Sequence, residues 1–542
     1  MKQLWKKWRN DFLVGGGILI LAFFLRLYNL TIIPVFGDEA IYIRWSQVMR
    51  AEPTLRFVPL SDGKQPLFMW AVIPFFKIFS DPLIAGRIVS VFSGLGTVIG
   101  IFVLTQLLFK SRKMSLLASL IYAISPFSIF FDRLALADSM LSMFGVWALV
   151  FGIITVKKVR LDTAILTGFS LGGALLTKSP AVFFAALTPT TLLLHEWPKK
   201  LKEKFNKFSI FVFLFTFTYI IALGMYNILR LGPNFHMIAI RNKDYVYPLS
   251  HILERPLDPL LPYLDRILEY YWILGPSVLV LLTLFGIFVG LKRKTKETLI
   301  LLAWGIIPIL FVAEFSKTMT ARYAYFSVPY LLILASISLG AKLIHPPGGL
   351  LKLINENEKV KGANLFHPKG VSGLHVTVLN ILFIIFVANA LVLDYQLLTN
   401  PQTANLPRSE RSGYLEEWTS GYGIKEVSEI IRKEYRDNPE GKIVVGTEGY
   451  FGTLPDGLQM YLANVPEVTV IGVGLSIKDV PQSLKESKAY GNKTYLVINS
   501  TRFLGDLDTP DMDLKAVYGK GTRPDGSHES LLLFEVVKNQ ND

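Results

Sequence analysis

The sequence predicts a mainly α-helical membrane protein with many spans and a small α/β domain at its C-terminal end. Hydrophobic residues make up 51% of the 542 residues, and the mean hydropathy is +0.41. A chain of this length with that composition is too apolar for a soluble protein. Long apolar runs recur up to residue 395, whereas residues 424–542 alternate helical and strand patterns.

Apolar runs of about 17–25 residues are long enough to cross a bilayer as helices. We predict about eleven such helices, and the two runs that flank Lys178 are short enough to form one bent hairpin. The predicted spans are 13–30, 82–109, 114–131, 139–156, 161–176, 180–195, 208–229, 273–291, 298–314, 326–344 and 375–393.

The loops between these runs indicate the orientation of the chain. Lys and Arg are concentrated before the first span and in the loops that begin near residues 110, 157, 199 and 292. These loops share one side if the spans alternate, and basic loops are typical of the cytoplasmic side. We therefore expect a cytoplasmic N terminus and an outer C-terminal region. Because the net charge of +14 comes largely from such loops, we expect no nucleic-acid partner.

The first outer loop, about 31–81, is expected to hold interfacial helices. Residues 67–79 are apolar but too short to span a membrane, and they are interrupted by Pro74. Ile41, Trp45 and Val48 are spaced as on one face of a helix. We therefore place both stretches at the outer surface.

After the last apolar run the composition changes. Residues 396–423 are polar and rich in Pro, Gly and Ser, which predicts a linker, and residues 424–542 predict a small α/β domain outside the membrane. In that domain the predicted helices are 425–436 and 456–463, and the predicted strands are 442–446, 468–473, 493–498 and 531–537.

Three carboxylates are candidates for acid–base chemistry. Asp38 and Glu39 follow the first span, and Asp138 lies in the second outer loop. Ionisable groups at a membrane boundary are costly to desolvate and indicate a functional site. A carboxylate there can take a proton from an attacking hydroxyl group. The alternative for the adjacent pair is a solvated loop with acids at a helix start.

Several cations on the same side are candidates for binding a phosphate. Lys178 lies between apolar runs and needs a partner or a water-filled cavity, unless it reaches the interface. Arg322 offers bidentate phosphate contacts, or it belongs with Tyr323 to an interfacial aromatic belt. Lys64 follows the acids in the first outer loop. Arg241 lies in the long loop 230–272 and either binds a phosphate or is a solvated loop charge.

The sequence excludes some chemistries. With no cysteine, the chain has no disulfide and no thiolate nucleophile. His236 and His251 are too isolated to indicate a metal site. We expect no cofactor, although the residue types present do not exclude a divalent metal ion. Carboxylates and cations together suit transfer of a group from a phosphorylated lipid donor to a hydroxyl acceptor.

The order of these residues resembles the GT-C class of membrane glycosyltransferases, among them the bacterial lipid A aminoarabinose transferases and the protein O-mannosyltransferases. The resemblance covers residues 10–395. It is carried by Arg26, Asp38-Glu39-Ala40-x-Tyr42, Lys64-x-Pro66-Leu67, Asp138, Thr177-Lys178 and Arg322-Tyr323.

The resemblance implies an inverting glycosyltransferase in a prokaryotic cytoplasmic membrane, with a polyprenyl-phosphate-linked sugar donor. It implies a lipid, glycan or protein acceptor with a free hydroxyl group. Asp38 is then the catalytic base, supported by Glu39, and Asp138 matches the acid of the second outer loop. Lys64, Lys178, Arg322 and Tyr323 match positions near the donor phosphate.

One residue departs from the pattern. The aminoarabinose transferases carry a glutamate where this chain has Gly63, so the resemblance leaves the donor hexose or pentose open. A polytopic transporter or lipid-glycan flippase is the alternative function. Such a protein usually shows internal repeats or helices broken at mid-membrane, whereas the charges here lie at the outer boundary.

Overall fold

The computed structural model describes residues 2–340 and 373–537, which form a mainly helical chain with one sheet near its C-terminal end. Most helices before residue 400 coincide with the apolar runs of the sequence. In chain order they are α1 Lys2–Leu27, α2 Gly37–Ala51, α3 Leu67–Val72, α4 Pro82–Phe109, α5 Arg112–Ala123, α6 Pro126–Phe131, α7 Ala137–Lys158, α8 Leu161–Thr177, α9 Ala181–Leu187, α10 Leu201–Asn227, α11 Met237–Tyr245, α12 His251–Glu254, α13 Leu260–Ile273, α14 Val278–Arg293, α15 Thr295–Phe315, α16 Arg322–Tyr325, α17 Val328–Leu339 and α18 Gly373–Thr399.

Among the described residues, six helices are long and apolar enough to cross a membrane. The bent pair α13 and α14, with 105° between its two parts, makes a seventh if the pair is one span. The multi-pass architecture is therefore confirmed, whereas the count of eleven spans is not. The six helices are Arg9–Leu27, Pro82–Phe109, Ala137–Lys158, Leu201–Leu231, Thr295–Phe315 and Thr377–Thr399.

The remaining predicted spans coincide with shorter or broken helices. The run predicted at 114–131 is divided into α5 and α6, because Pro126 has no N–H with which to continue the preceding helix. The runs at 161–176 and 180–195 correspond to α8 and to α9 with a following 3₁₀ turn. The end of the run at 326–344 lies outside the described residues.

Helices form at both stretches of the first outer loop that we expect at the membrane interface. Helix α2 buries Ile41 and Trp45 and leaves Val48 half-buried, which agrees with their spacing on one helical face. Helix α3 continues into a 3₁₀ turn that contains Pro74. The position of the two helices relative to a membrane stays a prediction.

A buried ion pair connects several helices. The Arg26 Nε of α1 donates to Asp132 Oδ2 at 2.9 Å, and the Tyr325 hydroxyl of α16 donates to Asp132 Oδ1 at 2.6 Å. Tyr122 of α5 contacts Asp132 at 3.2 Å. An isolated charge at this depth would be costly, so these hydrogen bonds fix α1, α5, α16 and the loop before α7 to one another.

The C-terminal region forms a five-stranded sheet in the order β2-β1-β3-β5-β4. β1 pairs in parallel with β2 and β3, and β5 pairs antiparallel with β3 and β4. The α/β character of this region agrees with the sequence prediction. The elements are α20 Ile424–Asp437, β1 Ile443–Glu448, α21 Asp456–Leu462, β2 Val468–Gly474, α22 Gln482–Ala489, β3 Lys493–Asn499, β4 Met512–Thr522 and β5 His528–Val536.

The segment predicted as a linker contains structure. Between α18 and α20 it forms a 3₁₀ turn at Pro401–Thr403, the short helix α19 Arg408–Arg411 and a π-helical turn at Ser412–Glu416. Glu410, Tyr414 and Glu416 are buried within it. Arg408 and Arg411 pair with Glu416. Its polar composition therefore reflects buried ion pairs. Its role as a boundary between domains stays a prediction.

Candidate active site

Asp38 lies in the first turn of α2 and contacts two cations from distant parts of the chain. Its Oδ1 accepts a hydrogen bond from Lys64 Nζ at 3.0 Å, and its Oδ2 accepts one from Arg322 at 2.5 Å. Burial by itself would raise the pKa of Asp38, but the positive charges of Lys64 and Arg322 outweigh it and hold the pKa well below its usual range. Asp38 is therefore ionised, and its single negative charge is shared between the two cations.

Lys64 is presented by the turn that ends at Gly63. Its ammonium lies 3.6 Å from Asp62 and 5.1 Å from the centre of the Tyr42 ring. Burial lowers the pKa of Lys64, but the charge of Asp38 reverses the effect and raises the pKa above its ordinary value. Lys64 therefore carries a permanent positive charge next to Asp38.

A second ion pair lies beside the first. Lys178, at the end of α8, donates to Asp138 in the first turn of α7 at 2.6 Å. Tyr323 joins the two pairs, because its ring centre lies 5.2 Å from the Lys178 ammonium and 5.3 Å from the Arg322 guanidinium carbon. The Asp138 side chain is only 4% exposed, whereas Lys178 is 22% exposed.

The structure thus brings six of the eight predicted site residues into one cluster, which we call the outer charge cluster. Helices α7 and α17 begin near it, and α8 and α15 end near it, so it lies at one end of the helical region. Its members are Asp38, Lys64, Asp138, Lys178, Arg322 and Tyr323.

Glu39 is next to Asp38 in sequence but faces a different environment. Its side chain has no exposed surface, and it forms a two-pronged ion pair with Arg87 at 2.8 and 2.7 Å. The backbone N–H groups of Phe36 and Ala135 also donate to its two oxygens. A carboxylate with both oxygens occupied inside the protein fixes α2 to α4 and to the second outer loop, which is a positioning role.

Arg241 lies at the periphery of the cluster. It pairs with Asp62 at 2.7 Å and with Asp244 at 2.6 Å, and it is 34% exposed. Asp62 in turn lies 3.6 Å from Lys64. Arg241 is therefore linked to Lys64 through the Asp62 carboxylate. The structure shows no direct contact between Arg241 and Asp38.

The structure gives a physical reason for the glycine at position 63. Gly63 has a φ of +68°, a conformation that side chains disfavour. A Cβ atom there would lie 2.7 Å from Arg241 Cβ and 2.8 Å from the Met237 carbonyl oxygen. Position 63, where the aminoarabinose transferases carry a glutamate, thus lies in this chain in a tight turn that packs against α11.

Two contributors were missed by the sequence analysis. Arg87 lies inside the predicted span 82–109, where an intramembrane arginine is itself a signal of function or of a buried pair. Tyr414 packs on Phe36 with ring centres 4.3 Å apart, and Phe36 lies 5.8 Å from the Arg322 guanidinium carbon. No sequence pattern indicated that Tyr414, in a polar segment, would reach the cluster.

Within residues 2–340 and 373–537, no group of three or more His, Cys, Asp or Glu side chains is arranged to hold a metal ion. The carboxylates of the outer charge cluster contact lysine and arginine. The arrangement therefore joins carboxylates that can accept a proton to cations that can bind a phosphate.

Comparison with known proteins relates the chain to one family model and to solved structures. Residues 63–221 match the family model described as dolichyl-phosphate-mannose-protein mannosyltransferase. No curated protein sequence matches the chain. The matched segment includes Lys64, Asp138 and Lys178 of the outer charge cluster.

Two solved proteins share the fold along most of the chain. ArnT from Cupriavidus metallidurans, in the apo state, has a TM-score of 0.54 and 13% identity, with 97% of each chain covered. Its complex with undecaprenyl phosphate has a TM-score of 0.51, 14% identity, and coverage of 97% of this chain and 98% of that chain. The archaeal oligosaccharyltransferase AglB from Archaeoglobus fulgidus, in complex with an inhibitory peptide and a dolichol-phosphate, has a TM-score of 0.50 and 13% identity, covering 99% of this chain and 75% of that chain.

These similarities extend over the helical region and the C-terminal sheet together. They confirm the resemblance that the sequence motifs indicated. The chain has the fold of the GT-C membrane glycosyltransferases of the ArnT and protein O-mannosyltransferase type.

Proposed function

We propose that this protein is an inverting glycosyltransferase that moves a sugar from a polyprenyl-phosphate donor to a hydroxyl acceptor on the outer face of the membrane. The observation that carries the proposal is the contact of Asp38 with both Lys64 and Arg322 at one end of the apolar helices. The complexes of ArnT with undecaprenyl phosphate and of AglB with a dolichol-phosphate support a lipid phosphate as the donor group.

The donor phosphate binds between the cations of the outer charge cluster. Lys64, Lys178 and Arg322 each pair with a carboxylate, so a phosphate that enters shares these cations with Asp38 and Asp138. Arg322 offers a planar fork for two phosphate oxygens, and the lysines add point charges. Neutralised in this way, the phosphate is a good leaving group.

Binding of the phosphate also prepares the base. Lys64 and Arg322 hold the pKa of Asp38 low. When the two cations turn toward the phosphate, they stabilise the ionised form of Asp38 less. The pKa of Asp38 then rises toward the ordinary range. Asp38 then becomes a more effective proton acceptor at the moment when the donor is in place.

The transfer step follows from this geometry. The acceptor hydroxyl oxygen attacks the anomeric carbon, and its proton passes to Asp38. The bond between the anomeric carbon and the phosphate oxygen breaks, and its electron pair stays on the lipid phosphate between the cations. Attack opposite the departing phosphate inverts the anomeric configuration. Asp138 orients Lys178 toward the phosphate.

The outer location of the site is part of the proposal. Basic loops on the opposite side of the spans favour a cytoplasmic N terminus, with residues 396–542 outside. Reporter fusions after Lys296 and after Asp542 should report opposite sides of the membrane. If both report the cytoplasm, the site does not face outward.

The activity is tested by mass spectrometry of lipids and glycans from cells with and without the chain, and from cells that produce Asp38→Asn at the same level. We expect one sugar-modified product that is present only with the native chain. A product that persists in Asp38→Asn cells, or identical profiles in all three, would contradict the proposal.

A further inference from the structure

The segment 408–420 contacts the residues that immediately precede Asp38 and Arg322 in the chain. On the Asp38 side, the Gly37 N–H donates to the Thr419 carbonyl at 3.2 Å, and Phe36 forms an isolated antiparallel bridge with Ser420. On the Arg322 side, the Glu410 carboxylate reaches the turn that presents the arginine. The two sides of the ion pair are thus held by one stretch of chain that follows the last apolar helix.

Glu410 is 1% exposed, and one of its carboxylate oxygens contacts the backbone of the turn before Arg322. Its Oε1 accepts the Ala321 N–H at 2.6 Å, and Ala321 is the residue immediately before Arg322. Its Oε2 accepts the Ser409 hydroxyl at 2.6 Å. A buried carboxylate without such donors would be costly, so the contact with Ala321 is part of what keeps Glu410 inside the protein.

A second contact holds the same turn from another helix. The Tyr270 hydroxyl of α13 donates to the Met319 carbonyl at 3.1 Å, and the Ser409 hydroxyl oxygen lies 3.3 Å from the Tyr270 hydroxyl oxygen. Residues 316–321 lie between α15 and α16 and belong to neither helix. The start of this stretch pairs with residues 245–247, and the contacts of Tyr270 and Glu410 hold the residues that lead from there to Arg322.

We propose that Glu410 is a positioning residue that sets the location of Arg322 in the active site. The proposal rests on the function proposed above, because it concerns the arginine that binds the donor phosphate there. A displacement of about 1 Å of a positioned group can cost on the order of a hundredfold in rate. Removal of Glu410 therefore displaces the arginine that binds the donor phosphate, while Asp38 keeps its contact with Lys64.

The same segment links the active site to the C-terminal sheet. Lys520 of β4 is buried and donates to the Ser420 and Glu417 carbonyls at 2.7 and 3.2 Å. Arg523 forms a two-pronged ion pair with Glu417 at 3.0 and 2.9 Å. The C-terminal sheet thus holds the far end of the segment that carries Glu410.

Hydrogen exchange of the full-length protein in detergent tests the positioning directly. In Glu410→Ala, and in Glu410→Asp, whose shorter side chain cannot keep the same contact, we expect amides 319–325 to exchange about ten- to a hundredfold faster, as for one lost hydrogen bond to a charged group. Glu410→Gln keeps a carbonyl oxygen at the same reach and should restore near-native exchange.

Glu448 provides a matched control. It is a buried carboxylate that accepts one backbone N–H and one side-chain donor, both from Asn499, and it lies in the C-terminal sheet. Glu448→Ala should leave exchange at 319–325 unchanged. Unchanged exchange in both Glu410→Ala and Glu410→Asp, or equal acceleration in Glu448→Ala, would overturn the proposal.

Kinetics then separate this proposal from the proposed function. In Glu410→Ala we expect kcat/KM for a polyprenyl-phosphate sugar to fall at least tenfold while the KM for the acceptor stays constant. Faster exchange at 319–325 in a protein whose native form transfers no sugar would refute the transferase and leave the positioning role intact. A rise confined to the acceptor KM would contradict the positioning of Arg322.

Discussion

Arg322 donates to Asp38 at 2.5 Å although 284 positions separate the two residues in the sequence. The first begins the short helix α16 and the second lies in the first turn of α2. Their contact requires the helices between them to end at the same side of the molecule. The outer charge cluster is therefore a product of the whole helical region.

Replacement of the donor-side cations should weaken use of the donor more than folding. Lys64→Ala, Lys178→Ala and Arg322→Ala should each reduce transfer about ten- to a hundredfold, as expected for one lost hydrogen bond to a charged group. Arg322→Lys should rescue only part of the loss, because lysine lacks the planar fork. Transfer rates at several donor concentrations in matched membranes measure the effect.

Arg241→Ala is the control for these variants. Arg241 makes its ion pairs with Asp62 and Asp244 at the edge of the cluster, so its loss should cost less than that of Arg322. Native rates in all three alanine variants of the cluster would contradict phosphate binding there.

Glu39→Gln should lower the stability of the folded protein. The change leaves the Arg87 guanidinium buried without its charge partner, and loss of one member of a buried pair typically costs about 3–5 kcal/mol. Thermal unfolding in detergent should show a clear decrease in Tm, with Asp38→Asn as the comparison at a partly exposed site. A native Tm with abolished transfer would instead place Glu39 in the chemistry.

Substitution of Gly63 should be destabilising. Gly63→Ala combines a positive φ with a close approach to Arg241 and Met237, and we expect a loss of about 1 kcal/mol or more. Gly224→Ala is a suitable control, because a Cβ there meets no atom within 4 Å. Measured Tm values should fall for Gly63→Ala alone. Equal Tm values for both variants would show that the turn tolerates a side chain.

Glu410 should make stability depend on pH. Burial raises the pKa of Glu410 to about 7, from an ordinary value of 4.5. Its neutral form is thus favoured in the folded protein, so its stabilising contribution is complete below pH 4.5 and is lost as the pH rises through about 7. Relative to Glu410→Gln, the native protein should lose up to about 3 kcal/mol between pH 4.5 and 8. A difference in Tm that does not change with pH would contradict this.

Much of the outer charge cluster could be predicted from the sequence, because its residues stand out. Asp38, Lys64 and Lys178 are ionisable groups at the ends of apolar runs, where the desolvation of an unpaired charge is costly. Arg87 carries the same signal inside a predicted span, although it was not among the predicted site residues. The pairing of each cation with a particular carboxylate depends on helix packing, which no local pattern encodes.

Other features carried no sequence signal. Glu410 and Tyr414 lie in a polar segment whose composition is that of a linker, and only the fold shows that they are buried. Strand β4, at the edge of the sheet, was not predicted; its burial alternates along most of its length, but Gly519, Lys520 and Gly521 interrupt the apolar pattern near its end. The number of long spans is smaller than predicted because several apolar runs form shorter or broken helices, such as α5 and α6, which are divided at Pro126.

The most direct test of the account is transfer from a polyprenyl-phosphate sugar by Asp38→Asn, at matched protein levels. An amide cannot accept the acceptor's proton, and loss of general-base catalysis typically costs 10²–10⁴-fold. Asp138→Asn, assayed in parallel, should cost less, because it acts through the orientation of Lys178. We predict near-complete loss of transfer in Asp38→Asn with a folded, membrane-inserted protein. Near-native transfer in Asp38→Asn together with loss in Asp138→Asn would contradict the assignment of the base.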